Sequence, residues 1–356
     1  MTTIRDIRFG YVQAPQGRPK LVAAVRSSDG AQGFGVGWAR LADELSYGRA
    51  ALSGLSSILG GARVDAFELA GKCQDQAYDA GLGRAATVME MALFDLEGQI
   101  TGRPVHRMIG SGRSSLPAYA ISSEEKSFAA PSQFGELAIQ FKEAGYKGAK
   151  FHLRGDIEFD IKACRAIRSA VGTDFVLMHD PMGRYSREDA LRVGRVMGEL
   201  DFARYEDPIS PLDMEGYGWL TPRLDVPVMV NELLRWTTRD VAVAAAKESI
   251  QGIRLDLGRS GMTGGLRYAL VAAASGIELD VAALVPQGGL ELALHLACAS
   301  AATRWFEDHK CGDLASLPGV APGFIITQGT ASLGDGAGLG LSIDWPELER
   351  HCTWVS

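Results

Sequence analysis

Runs of lysine and arginine are missing from this 356-residue chain, and basic residues nowhere alternate with aromatic ones. With a net charge of −7, that excludes a protein held to nucleic acid by its electrostatics. No apolar stretch reaches the roughly 18 residues that a membrane-spanning helix needs. The opening "MTTIRDIRFGYV" lacks the apolar centre of a secretory leader, so a soluble cytoplasmic protein is expected. Cysteine is sparse: Cys73, Cys164, Cys298, Cys311 and Cys352 are odd in number and form no C-x-x-C pair. That argues against a disulfide framework or a structural zinc site and for a reducing compartment. "GFGVGW" at 33–38 misses the G-x-G-x-x-G register because position 38 is Trp. Its glycines are those of turns and strands, not of a nucleotide site.

What is present is a change of period. Residues 1–40 alternate as strands do, in "TIRDIRFGYV" and "KLVAAVRSS", with "SDG" as a turn before "GFGVGWA". Over 49–100 the apolar residues move to three- and four-residue spacing, in "RAALSGLSSILGG", "DAFELAGKCQDQAYDA" and "RAATVMEMALFDLEGQITG", the helical period. From Leu116 onward short apolar runs alternate with helical stretches: "LPAYAIS", "AKFHL", "FVLMHD", "FARYED", "PVMVNE", "GIRLDL", "ELDVAAL" and "RWFED". Helices are expected between them over 133–144, 157–171, 186–199, 238–247, 262–275 and 288–302. The pattern predicts an α/β fold with a (β/α)₈ TIM barrel; a doubly wound open sheet is the rival. The Gly-rich tail "PGFIITQGTASLGDGAGLGLSIDW" is strand-like and is expected to return to the first unit. The expected division is an α+β unit over 1–114, the barrel over 115–320 and the returning segment over 321–356.

The repeat carries acids in phase. Asp180 ends "FVLMHD", Glu206 ends "FARYE" and Glu232 ends "PVMVNE", at equal steps along the chain, and Asp256 ends "IRLD" one unit later. One acid after a strand is ordinarily a helix cap. Three in phase place three carboxylates on one ring at the barrel's C-terminal mouth, where barrel enzymes keep their sites. Ionised and unpaired, they would repel, so either their pKa values rise or a cation sits among them. An all-oxygen donor set suits a hard ion, so Mg²⁺ is expected, with Mn²⁺ as the alternative.

"GYKGAKFHLRGD" (145–156) places Lys150 and His152 on the same face of the strand before Asp180. A carboxylate bound to a metal has a more acidic α-hydrogen, which calls for a base beside that carbon and a cation to offset the remaining negative charge. Histidine suits the first task and lysine suits either. The plainer alternative is an ion pair from this strand to Asp180 or Glu206.

These motifs resemble the enolase superfamily, in its mandelate racemase/muconate lactonising enzyme branch. "MALFDLEGQITGRPVHRMIG" is similar to the family's helix before the barrel, and "GYKGAKFH" to its lysine-motif strand. "MHDPMGRYS", "RYEDPISP" and "VPVMVNE" resemble the three metal-ligand strands, and "GDGAGLGLSID" the closing segment. The resemblance implies a capping domain built from both chain ends over a modified barrel. It also implies Mg²⁺ at Asp180, Glu206 and Glu232, α-proton abstraction from a carboxylate substrate, and assembly as a homo-oligomer, from dimer to octamer.

The departures narrow the chemistry. The family's usual strand reads Lys-x-Lys with the second lysine as base; here that position is His152. The resemblance therefore assigns His152 as base and Lys150 as its charge partner, with the reverse as the alternative. Many members of the branch carry a His–Asp pair on the opposite face. Asp256 stands at the aspartate's position, but the histidine's falls near Ala282. His295, in "LELALHLACAS", lies on a helix, where a satisfied core or interface histidine is expected. With one face equipped, a single residue takes the α-proton and returns it to a leaving hydroxide. An acid-sugar dehydratase is therefore expected. A racemase or epimerase, with Asp256 or a loop residue serving the second face, is the alternative. A relative that only binds a carboxylate without turnover is a third reading.

Around this site, His179 alternates away from the mouth, where it can support a ligand, and Asp207 and Asn231 flank ligands. Arg204 and Arg254, each two residues before an acid, are expected to neutralise the ring from below. "GRSGMTGG" (258–265) offers backbone N–H groups to an anion, or is only a tight turn. Substrate contacts are expected from Arg18, Lys20, Tyr47 and Arg49 in the cap and from Glu307 at the end of "RWFED".

Overall fold

The computed structural model describes residues 2–13, 19–39, 44–80, 82–122, 128–231, 236–283, 285, 287–309 and 316–355. It opens with three antiparallel strands, β1 (Ile4–Val12), β2 (Lys20–Ser27) and β3 (Gln32–Trp38). Helices α1 (Glu44–Leu59), α2 (Ala66–Ala80), α3 (Gly83–Thr101) and the short α4 (Val105–Met108) follow. Helix α3 is apolar on nearly every face because it is covered on both sides, by β2 and β3 and by the barrel. The alternate glycines of "GFGVGW" let β3 lie directly on it. A Cβ at Gly35 would stand 2.0 Å from Val88 O, and one at Gly33 2.2 Å from Ala92 O.

The barrel strands are β4 (Ser115–Ile121), β5 (Gly148–Phe151), β6 (Val176–His179), β7 (Arg204–Glu206), β8 (Val228–Asn231), β9 (Gly252–Asp256), β10 (Glu278–Ala282) and β11 (Phe306–Asp308). Each is parallel to the next, and β11 closes on β4 with Glu307 opposite Tyr119, so the sheet is a closed barrel and not the open, doubly wound alternative. Between them run α5 (Ser132–Glu143), α6 (Ile157–Val171), α7 (Arg187–Glu199), α8 (Met214–Leu220), α9 (Thr238–Ala246), α10 (Leu257–Ser275) and α11 (Gly289–Ala299). Side-chain caps set several starts: Asp156 accepts from Phe159 N, Ser186 from Asp189 N, and Thr237 with Asp240 forms a capping box. Periodicity misses α8, whose seven residues "MEGYGWL" are too few, and too broken by glycine, to show a helical repeat.

The tail forms β12 (Val320–Ala321), β13 (Phe324–Thr327), β14 (Thr330–Leu333), β15 (Ser342–Ile343), α12 (Trp345–His351) and β16 (Cys352–Trp354). Strand β14 pairs with β4 of the barrel, and β16 completes the N-terminal sheet in the order β16-β1-β2-β3. Both chain ends thus build the α+β cap. Its joints are buried carboxylates of α3. Asp95 accepts from Phe34 N and from Leu339 N, each at 2.9 Å, and holds the tail on the first sheet. Glu90 accepts from Thr263 N at 2.5 Å and holds α3 on α10. That approach requires glycine at 261, a kink with φ of 66°, where a Cβ would meet Glu90 Oε2 at 2.0 Å. One N–H of "GRSGMTGG", that of Thr263, therefore does meet an acidic group, and it is the cap's own Glu90 carboxyl.

His295 is buried between α4 and α11. Its Nδ1 accepts from His106 N at 3.0 Å and lies 3.1 Å from His106 Nδ1. It is an interior histidine, as expected; burial holds its pKa down to about 3. Among the described residues, no helix is long and apolar enough to cross a membrane.

Candidate active site

Strand alternation sorts the barrel side chains into a set facing the helices and a set facing the axis. On β5, Phe151 packs outward against Phe134 and Phe141, so Lys150 turns inward. The same rule sends Glu206 and Arg204 inward from β7, Arg254 and Asp256 from β9, Asp280 from β10 and Glu307 from β11. Below the mouth these side chains close a buried network. Lys150 Nζ donates to Glu206 Oε2 at 2.8 Å and to Glu307 Oε2 at 2.5 Å. Arg254 Nη2 donates to Glu307 Oε1 at 2.5 Å, and its Nε stands 3.7 Å from Glu206 Oε1. The His309 ring also meets Glu307. One layer lower, Arg204 pairs with Asp280 at 2.5 Å and Glu278 at 2.6 Å. The Tyr119 hydroxyl joins the layers, between Asp280 Oδ2 at 2.5 Å and Glu307 Oε2 at 2.6 Å.

Burial opposes every one of these charges, and the partners decide the outcome. Burial alone would lower the Lys150 pKa, but Glu206 and Glu307 hold the ammonium above its usual range. Burial likewise would raise Glu307, and Arg254, Lys150 and His309 keep it well below the carboxylate range. Glu206 goes the other way: burial, with repulsion from Asp180 and Glu307, outweighs Lys150 and Arg254 and lifts it.

At the mouth the balance turns acidic. His152, one step past β5, is placed by its backbone N–H, which donates to Ser122 Oγ at 2.9 Å. Its Nδ1 lies 2.7 Å from Ser122 O, which can only accept, so Nδ1 carries hydrogen and Nε2 is the atom presented to the mouth. Asp180 Oδ2 is 3.2 Å from that Nε2. Burial would raise Asp180, yet the His152 hydrogen bond and charge, with Lys150 and Met182 N, bring it down to about 2. Asp207 follows Glu206 in a left-handed conformation, φ 37°, and accepts from Asn231 N at 2.9 Å. Burial first, then the charges of Asp180 and Glu206, push its pKa well up. Asn231 Nδ2 donates to Glu206 Oε1 at 3.3 Å.

Across the barrel interior, Lys150, Arg204 and Arg254 are outnumbered by Asp180, Glu206, Asp207, Asp256, Asp280 and Glu307. The surplus lies at the mouth, as oxygen donors only, a donor set that fits a hard divalent cation. Glu232 lies outside the described residues; among those described, no three His, Cys, Asp or Glu side chains converge as a metal-binding group.

The other expected residues are dispersed. His179 faces the helices, with Nδ1 at 2.9 Å from Phe151 O and Nε2 at 3.0 Å from Tyr185 OH. Asp256 caps α10, accepting from Gly258 N at 3.0 Å. Glu307 is wholly enclosed beneath the mouth, so it reaches other side chains where a substrate hydroxyl was expected. Lys20 is also enclosed, its ammonium 3.2 Å from the centre of the Trp38 ring. Tyr47 is half-buried and its hydroxyl accepts from Ala85 N at 3.1 Å, while Arg49 is exposed. Arg18 lies outside the described residues. Tyr119, Asp280 and His309 also belong to this interior, although none stands in phase with the acids at the strand ends. Two-residue alternation from Ile121, Ala282 and Glu307 would have found them.

Three comparisons with known proteins bear on this geometry. A family model described as "Enolase C-terminal domain-like" matches residues 133–348. The L-talarate/galactarate dehydratase of Salmonella typhimurium is 26% identical over 81% of this chain and 72% of its own length. The L-Ala-D/L-Glu epimerase of Clostridium acetobutylicum is 25% identical over 83% of this chain and 87% of its own. Among solved structures, the D-glucarate dehydratase of Agrobacterium tumefaciens, complexed with magnesium, superposes with a TM-score of 0.84 at 25% identity, covering 99% of both chains.

Proposed function

The chain belongs to the enolase C-terminal domain-like family, in the mandelate racemase branch of the enolase superfamily, and on that premise we propose that it is a Mg²⁺-dependent lyase that removes the α-proton of a carboxylate substrate and eliminates water, an acid-sugar dehydratase. Asp180 and Glu206, with Glu232, would hold the ion. Bound there, a hard divalent cation supplies Lewis acidity that makes the hydrogen α to a substrate carboxylate easier to remove.

The observation that carries the reading is the one-sidedness of the mouth among the described residues. On the β5 side, His152 is fixed through Ser122, with Nε2 at 3.2 Å from Asp180 Oδ2 at the rim; once that carboxylate is engaged by the ion, Nε2 would be left to face the reacting space. Beside it, Lys150 is a buried cation bound to two carboxylates, a stabiliser of negative charge and not a base. On the β9 side, Asp256 is engaged by the start of α10, and Ala282 follows on β10 where a histidine would complete a second acid–base pair. One imidazole then serves both proton transfers. Nε2 takes the α-hydrogen as the C–H bond breaks; the same nitrogen gives that proton to the departing β-hydroxyl, which leaves as water on the same face. The enol so formed becomes a 2-oxo acid.

A second reading, a racemase or epimerase using the same proton abstraction, is favoured by the epimerases among the relatives. It needs Asp256 or a loop residue to deliver a proton to the opposite face. Products from metal-loaded protein and an acid-sugar library in D₂O separate the two. A 2-oxo acid lacking one hydroxyl supports the dehydratase. Retention of every carbon–oxygen bond with an inverted α-centre supports the epimerase, and neither product nor exchange with any acid rejects both.

A further inference from the structure

A cavity of about 280 Å³ opens between the cap and the barrel rim. Among the described residues its walls include Trp38 at the end of β3, Arg84 and Val88 from α3, and Asp256, Gly258 and Arg259 from the β9–α10 junction. Two guanidinium groups, from the cap and from the barrel, line one small space that holds one carboxylate. Arg259 Nε stands 3.5 Å from Asp256 Oδ2. Arg84, exposed at the start of α3, pairs with no carboxylate among the described residues. In a chain of net charge −7 with an acidic barrel mouth, a cavity of this sign is suited to an anion.

Its position says which anion. Around the closed ring β5 and β9 are four strands apart in either direction, so the end of β9 that carries Asp256 stands across the barrel from the end of β5 that leads to His152. An acid that sets its reacting carboxylate by Asp180 and Glu206 and its α-carbon by His152 can extend its far end to the β9 side, toward this cavity. We propose that the Arg84–Arg259 cavity is a subsite for a second carboxylate at the far end of the substrate, and that the substrate is therefore a dicarboxylic acid. This rests on the function proposed above for the acid mouth. Arg84 and Arg259 donate charge-assisted hydrogen bonds to the remote carboxylate, and Asp256 steadies Arg259.

The test is calorimetric titration of Mg²⁺-loaded full-length protein with galactarate and with galactonate, which share one six-carbon polyol chain and differ at the far end. The wild type should bind the dianion about tenfold or more tightly than the monoanion. Arg84→Gln and Arg259→Gln, both at water-accessible side chains, should each cut that ratio several-fold. Equal affinity for the two acids, binding of neither, or a ratio that both variants keep overturns the subsite. Solvent deuterium exchange on the same samples tests the parent reading separately. Dianion-selective binding without exchange leaves the subsite and removes the dehydratase; exchange without a dianion preference does the reverse.

Discussion

Replacing Lys150 with methionine removes one ammonium and keeps the space filled. Its Nζ stands 2.8 Å from Glu206 and 2.5 Å from Glu307, and all three side chains are shut off from water. At an effective dielectric near 20 each contact is worth about 6 kcal/mol of gross Coulomb attraction. Most of that offsets the desolvation of the charges, so the net loss on Lys150→Met should be about 3–5 kcal/mol, as when other buried pairs are broken on one side. The loss is unequal. Glu307 keeps Arg254 at 2.5 Å, the His309 ring and the Tyr119 hydroxyl. Glu206 keeps Asn231 at 3.3 Å and Arg254 at 3.7 Å, and is repelled by Asp180. Glu206 is therefore the stranded charge, and adding Glu206→Gln to Lys150→Met should return most of the lost stability. Urea unfolding of metal-free wild type, the single variants and the double variant completes the cycle. A Lys150→Met protein within about 1 kcal/mol of wild type, or a double variant no more stable than the single, would refute this reading of the network.

Two further perturbations test the cap. Burial pushes Asp95 up to about 6 against the hydrogen bonds that lower it. The folded chain thus holds that proton more tightly than the unfolded one, so this contribution is fully present below about pH 4 and is lost as pH rises to about 6, a change of roughly 3 kcal/mol. Asp95→Asn should flatten that part of the stability profile, read as the difference from wild type in urea midpoints across the window; an unchanged slope contradicts it. Gly35→Ala places a methyl 2.0 Å from Val88 O, where backbone must move, and should cost about 1–3 kcal/mol and lower the thermal midpoint. An unaltered midpoint would show that β3 does not rest on α3 as described.

Much of the fold was legible because two periods dominate the chain. The three- and four-residue spacing of 84–102 marks α3, and the short apolar runs from Leu116 mark the barrel staves. The tail was harder, since strands of two to four residues carry too little alternation to name their partners; the pairing of β16 with β1 is a tertiary fact. In the site, alternation alone placed Lys150 beside His152 on one inner face. It could not say that Glu307, at a strand's end like Asp180, lies one layer deeper, because depth depends on stagger between strands. Nor could it reveal that Asp256 is spent on Gly258 N, which depends on where α10 begins. "GRSGMTGG" invited an external anion because the partner carboxylate, Glu90, is distant along the chain and lies within an apolar helix.

The central claim is that His152 moves the α-proton at a mouth whose carboxylates hold a divalent cation. Loss of the α-hydrogen of a hydroxy acid in D₂O, read by NMR as exchange in recovered substrate or as deuterium at C3 of the 2-oxo product, addresses it in wild type, in chelator-treated protein and in His152→Gln. Exchange should be seen with Mg²⁺, vanish on chelation and return on adding the ion back, and fall by about 10²- to 10⁴-fold in the variant. Exchange that survives either the loss of metal or the loss of the imidazole would contradict the account.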